Sequence, residues 1–157
     1  MAARLREKSH LPTADWSVWE RAMVPPEIVG SNLKQRRNQV GLYCSSIKNA
    51  FPNQAEHCGI YEWAARLPGQ HNNRVIYVGS TCRGKRGSLR DRILEYCRNG
   101  SNKKDLINDA LERGYELWVF VKISAPRRNC REDAERMENE LLAEYNYAWN
   151  TVRSILP

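Results

Sequence analysis

The chain has 157 residues, 41% of them hydrophobic, with a net charge of +7, a pI near 9.3 and a mean hydropathy of -0.69. That length accommodates one compact domain with terminal extensions, whose core needs no disulfides. The composition excludes a disordered chain, no apolar run is long enough for a membrane span, and the N-terminus lacks the apolar stretch of a secretory signal.

The basic balance suits a polyanionic partner. The five cysteines, Cys44, Cys58, Cys82, Cys97 and Cys130, are odd in number and include no Cys-x-x-Cys. This argues against a disulfide scaffold or zinc knuckle and for reduced, packed thiols in an intracellular protein. Cys58 and Cys82 would lie close only if their strands are neighbours.

Along the chain, residues 1–14 read as a loose tail. Asp15 is placed to cap a short helix through Met23, with Trp16 and Trp19 on one face and Pro25-Pro26 as its stop. A second helix is expected from Glu27 to Asn38, followed by a loop over 40–57. Regular structure is expected from Cys58 onward. Gly59 to Ala65 and Arg74 to Val78 read as an antiparallel hairpin around the polar connection Pro68 to Asn73. Thr81 to Gly87 is a basic, glycine-containing loop. Leu89, Ile93, Tyr96 and Cys97 recur at helical spacing after Ser88, and Asn99-Gly100 ends that helix. A second helix from Ser101 ends at Gly114. Tyr115 to Ile123 reads as a strand, and Arg131 to Tyr147 as a last helix with Met137, Leu141, Leu142 and Tyr145 as its apolar stripe. The order predicts an α+β fold, a small three-stranded antiparallel sheet flanked by helices, with an N-terminal helical extension over 1–40 and the main domain over 41–157.

The chemistry-bearing residues gather in this regular part. Adjacent strands would present Tyr61 and Tyr77 at one sheet edge. A phenol has an ordinary pKa near 10, and a metal or a cationic arginine nearby favours the phenolate. Gly59 and Gly79 permit close backbone approach. On the following helix Arg92 and Tyr96 are four apart and share one side. There the guanidinium can point back at the strand edge and clamp a phosphate. Trp63 reads as a packing residue.

With these residues in place, the chain resembles the GIY-YIG nuclease superfamily. Gly59-Ile60-Tyr61 and Tyr77-Val78-Gly79 correspond to its two motifs, Leu89 with Arg92-Ile93 to its arginine helix, and Glu138, Leu141, Leu142 and Asn150 to its C-terminal stretch. The likeness covers about residues 58–150, and some of the wording has a weaker resemblance to the plant transcription-effector branch. It implies a divalent-metal-dependent DNA endonuclease, nuclear in a eukaryote and cytoplasmic in a prokaryote. In such a site Tyr61 would be the general base or orient the attacking water, and Tyr77 would hydrogen-bond within the site. Arg92 would stabilise phosphate charge, Tyr96 would assist proton transfer or positioning, and Asn150 would brace the site. Glu138 would hold Mg²⁺ or Mn²⁺, with Glu135 and Glu140 as alternative carboxylates. One carboxylate suits a hard cation that keeps water and phosphate as its other ligands.

Arg83, Lys85, Arg86, Arg90, Lys103 and Lys104 are the candidate DNA contacts, with Arg98 on the same track. Lys34, Arg36 and Arg37 offer a second basic cluster, and Lys122, Arg127, Arg128 and Arg131 a third. A non-catalytic DNA-binding or transcription-associated module on the same fold is the alternative, and a basic protein-interaction domain is a third reading. No membrane partner is expected, and no oligomeric state follows from the sequence.

Overall fold

The structure is a computed structural model and describes residues 4–8, 19–35, 39–49, 58–70, 73–82, 88–124 and 130–151. Its centre is three long antiparallel strands: β5 (Cys58–Arg66), β6 (Asn73–Cys82) and β7 (Glu116–Ser124). β5 lies in the middle, with Tyr61 opposite Gly79 on β6 and Val121 on β7. Helices cover both faces, so β5 is buried along nearly its whole length and shows no polar alternation.

The helices are α1 (Ser88–Cys97), α2 (Lys104–Glu112) and α3 (Cys130–Glu144). Leu89, Ile93 and Tyr96 of α1 and Ile107, Ala110 and Leu111 of α2 pack with Tyr61, Trp63 and Val121 on one face of the sheet. Ala134, Met137 and Leu141 of α3 pack with Ile60 on the other. The expected stops hold. Asn99 takes φ 63° at the end of α1, and the Gly100 N–H returns to the Glu95 carbonyl at 2.9 Å. Gly114 takes φ 90° after α2, and the Tyr115 N–H returns to the Ala110 carbonyl at 3.1 Å. Both are Schellman closures, which satisfy carbonyls that the helix leaves open.

The mixed α+β fold with flanking helices is as expected, but the sheet is larger than three strands. Among the described residues it has eight, in the order β3 (Leu33–Lys34), β4 (Leu42–Cys44), β2 (Glu20–Val24), β7, β5, β6, β1 (Arg4–Lys8) and β8 (Tyr145–Asn146). The N-terminal segment supplies β1, β2, β3 and β4. The helix expected through Met23 is therefore β2, which pairs with β7 and β4. Its proposed cap Asp15 and Trp16 lie outside the described residues. Ala22, Met23 and Val24 are all buried, and so short an apolar run carries no period that separates strand from helix. The unpaired edge of β7 settles it, because an edge strand recruits any segment that can complete its hydrogen bonds. Over its described residues, 27–35, the helix expected over 27–38 is instead turns and β3, and the loop over 40–57 contains β4 and a 3₁₀ turn, Ser45–Asn49. The last helix stops at Glu144, where Tyr145–Asn146 form β8 beside β1.

A second correction concerns the thiols. Cys58 and Cys82 are directly opposite on β5 and β6, with Cα atoms 4.0 Å apart, and are joined as a disulfide. Cys44 and Cys97 are free and buried.

One buried acid ties the C-terminal segment to the sheet. Glu62 is fully buried on β5 and accepts a hydrogen bond from the Tyr147 hydroxyl at 2.6 Å. Tyr147→Phe removes this donor without changing the packing, and the expected cost is about 1–3 kcal/mol. Urea titration measures it, and a loss within error of zero would contradict the assignment.

Candidate active site

Three elements converge at the Cys82 end of β6. The β5–β6 register sets Tyr61 across from Gly79. A Cβ on Gly79 would lie 2.5 Å from the Tyr61 hydroxyl, so the absence of a side chain there is what lets the ring lie flat over β6. A register shift between Trp63 and Ala64 inserts one extra residue in β6, which leaves both Ile76 and Tyr77 on the α1 face. Tyr77 thus stands 6.4 Å from Tyr61 and 6.0 Å from Tyr96, ring centre to ring centre.

α1 brings Arg92 and Tyr96 onto these rings. The Tyr61 and Tyr96 hydroxyls are 2.8 Å apart and share a hydrogen bond. Arg92 Nε donates to Tyr61 Oη at 3.3 Å, and Nη2 donates to Tyr96 Oη at 3.2 Å. Its Nη1 donates to Glu95 at 2.8 Å. The guanidinium also lies 4.6 Å from the centre of the Tyr96 ring. Trp63 packs in the same core, 5.5 Å from Tyr96, as the packing reading expects.

On the opposite side α3 presents Glu138. Its Oε2 accepts from the Ser80 hydroxyl at 3.0 Å. Ser80, Thr81, Cys82, Arg92, Arg131 and Glu135 line a polar cleft of about 350 Å³. Arg131 closes its rim by donating to the Cys82 carbonyl at 2.8 Å. Of the alternative acids, Glu135 lines this cleft, whereas Glu140 lies beside Lys122 in a different pocket.

The charges follow from burial. Burial raises the Tyr61 phenol above its ordinary value, against the lowering effect of the Tyr96 hydrogen bond and the Arg92 charge. Burial, with Tyr61 and Tyr77 beside it, also raises Tyr96. Both phenols therefore keep their protons near neutral pH. Burial works against the Arg92 cation, but its bond to Glu95 and the adjoining tyrosines outweigh that and hold it charged. Burial raises the Glu138 carboxyl, the Ser80 hydrogen bond opposes this, and Glu135 adds to the rise.

Asn150 sits apart from the cleft. Its amide oxygen accepts from Val78 N–H at 3.0 Å and its amide nitrogen donates to Val78 C=O at 2.9 Å. It pairs with β6 as a strand would, one residue before Gly79. The predicted DNA contacts divide. Arg83, Lys85 and Arg86 lie outside the described residues. Lys104 is exposed, and Arg90 stands 3.6 Å from Asp91. Lys103 donates to the Trp149 carbonyl at 2.7 Å and lies 5.1 Å from the Tyr77 ring centre, joining α2 to the C-terminal segment.

The sequence profile of GIY-YIG domain-containing proteins matches residues 28–155. The chain belongs to the GIY-YIG domain family. No curated protein and no solved structure matches it. Two partners in this GIY-YIG domain were not read from the sequence. Glu95 could have been found from its spacing of three to Arg92 on a helix. Ser80 belongs to the second motif, but nothing local links it to Glu138, 58 positions on. Among the described residues no three His, Cys, Asp or Glu side chains gather to hold a metal. One half-buried carboxylate beside a hydroxyl and an open polar cleft fits a hard cation of the Mg²⁺ type, which retains water and phosphate oxygens as ligands.

Proposed function

We propose that this GIY-YIG domain is a divalent-metal-dependent DNA endonuclease that hydrolyses phosphodiester bonds. The observation that supports it most is that Arg92, fixed by two phenols, lines the same cleft as Ser80, whose hydroxyl is held by Glu138. In this reading residues 41–157 carry the catalytic domain and 1–40 extend it, and the protein works where DNA is, in a nucleus or a prokaryotic cytoplasm.

Arg92 meets the non-bridging oxygens of the scissile phosphate. Tyr61 and Tyr96 hold the guanidinium in place before substrate arrives, so little reorganisation accompanies reaction. Tyr61, protonated in the free protein, orients the attacking water, and the partly exposed Tyr77 offers that water a further hydrogen bond. Tyr96 positions Arg92, and Asn150 keeps β6 aligned. Mg²⁺ or Mn²⁺ at Glu138 would supply neutralisation of the charge that develops on the phosphate. A DNA-binding module without catalysis is the second reading. One observation favours it: Glu95 already takes Arg92 Nη1 at 2.8 Å.

Plasmid nicking with Mg²⁺, Mn²⁺ or EDTA tests the first reading. Cleavage is expected only with metal and is expected to fall about 100-fold or more in Glu138→Gln. It should also rise with pH through the raised Glu138 pKa, with a midpoint that moves down as Mg²⁺ increases, because the ion competes with the proton. Metal-free stability should run the other way. The folded carboxyl binds its proton more tightly than the unfolded one, so its contribution is full below the ordinary 4.5 and is lost as pH rises through the raised value. DNA bound but uncut with either metal would support the module, and cleavage that survives EDTA would contradict the metal site.

A further inference from the structure

A second basic site lies on the far side of α1. Lys34 of β3 and Tyr43 of β4 face each other in register. With Ser45, Lys48, Leu94 and Arg98 they line a pocket of about 320 Å³ that has no acidic residue in its wall among the described residues. Tyr43 is a buried floor, while Lys34, Lys48 and Arg98 are exposed. The Arg98 guanidinium stands 5.9 Å from the Tyr43 ring centre. Among the described residues none of the three cations has a carboxylate partner.

The pocket is rigidly built. Gln39, itself buried, donates to the Cys97 carbonyl at 2.9 Å, and Val40 N–H donates to Asn108 Oδ1 at 3.1 Å. These two bonds fasten the link between β3 and β4 to the C-terminal end of α1 and the middle of α2. Arg98 N–H still donates to the Leu94 carbonyl at 3.0 Å, so its backbone continues the helix. A cation at a helix C-terminus is favourable by itself. That accounts for Arg98 but not for Lys34 and Lys48, which arrive from other elements to share its space. Three like charges brought together by separate segments lower their mutual repulsion by taking an anion.

We propose that this pocket binds the DNA backbone beside the scissile step, as a second phosphate site supplied by the N-terminal strands. The inference rests on the DNA-cleaving or DNA-binding reading above. Arg98 directly follows the last residue of α1, six positions after Arg92, which sets it roughly 9 Å further along the helix axis and about 120° around it. The axial step is the rise of about three base pairs, and a duplex lying across the C-terminal end of α1, met by two long arginine side chains, can touch both. The site extends the footprint and does no chemistry.

Fluorescence anisotropy with a labelled 20-base-pair duplex, in EDTA so that nothing is cut, tests it. The variant Lys34→Ser/Lys48→Ser/Arg98→Ser is compared with the unmodified protein across a salt series. Arg113→Ser/Arg136→Ser serves as the charge control, since those arginines pair with acids on their own helices. The triple variant should bind about tenfold or more weakly and lose about two to three units of salt slope. The control should shift neither quantity by as much per charge removed. Matching thermal midpoints for all three proteins would show that each is folded. A triple variant with unchanged affinity and slope, while the unmodified protein binds DNA, would overturn the second site alone. No DNA binding by the unmodified protein would overturn the DNA reading and this site with it. Losses that are equal per charge removed, three in the triple variant and two in the control, would show a net-charge effect and also overturn the site.

Discussion

Arg92→Ala should lower DNA cleavage by about 10²–10³-fold while leaving the protein folded. The guanidinium is held in the cleft from several directions. It donates to Tyr61, Tyr96 and Glu95, and it lies against the Tyr96 ring. Its side chain keeps 24% of its surface exposed, which leaves it a face toward substrate. Removing it does not orphan the two buried phenols, because they remain hydrogen-bonded to each other at 2.8 Å. The stability loss should therefore stay near 1 kcal/mol, the ordinary worth of a hydrogen bond. Arg92→Lys should recover little, since an ammonium cannot span both hydroxyls and still meet a phosphate in the same geometry. Single-turnover cleavage beside a urea titration separates the two effects. Cleavage within threefold of the unmodified protein would remove Arg92 from the chemistry.

The second large effect is expected from one added methyl group. In Gly79→Ala the new Cβ would sit 2.5 Å from the Tyr61 hydroxyl and 2.6 Å from its Cζ. Tyr61 has no room to retreat, being buried and bonded to Tyr96 and Arg92. Overpacking of this kind costs about 1–3 kcal/mol. For a chain of this size the thermal midpoint should fall by roughly 3–10 °C. Cleavage should fall as well, because a displaced Tyr61 no longer aligns Arg92. In a Tyr61→Ala background the same substitution should cost almost nothing, which gives a coupling that a general backbone effect would not produce. An unchanged midpoint and rate in Gly79→Ala would show that the close approach has no consequence.

Much of the site was legible because its residues lie on elements with strong local signals. The β5–β6 hairpin follows from two apolar runs around a turn-rich connection, and its register then sets Tyr61 against Gly79. The face of α1 follows from Leu89, Ile93 and Tyr96, and that face carries Arg92 with it. The N-terminal strands were misread for the converse reason. Trp16 and Trp19 are spaced as on a helix, and the neighbouring short apolar run has no contrary period. What makes Glu20–Val24 a strand is the waiting edge of β7, almost a hundred residues later in the chain. The Cys58–Cys82 bond was discounted from an odd cysteine count, although the strands place the two residues face to face.

The order of residues alone determined the hairpin, the arginine helix, the helix stops at Asn99 and Gly114, and the family likeness. Each of these depends on neighbours within a few positions, where periodicity and backbone preference act. Only the folded chain decided that Glu138 meets Ser80, that Lys103 serves Trp149 and that the N-terminal strands widen the sheet. Those are contacts between distant segments. They form because burial and unpaired sheet edges select a partner in space, and nothing in the local sequence names that partner.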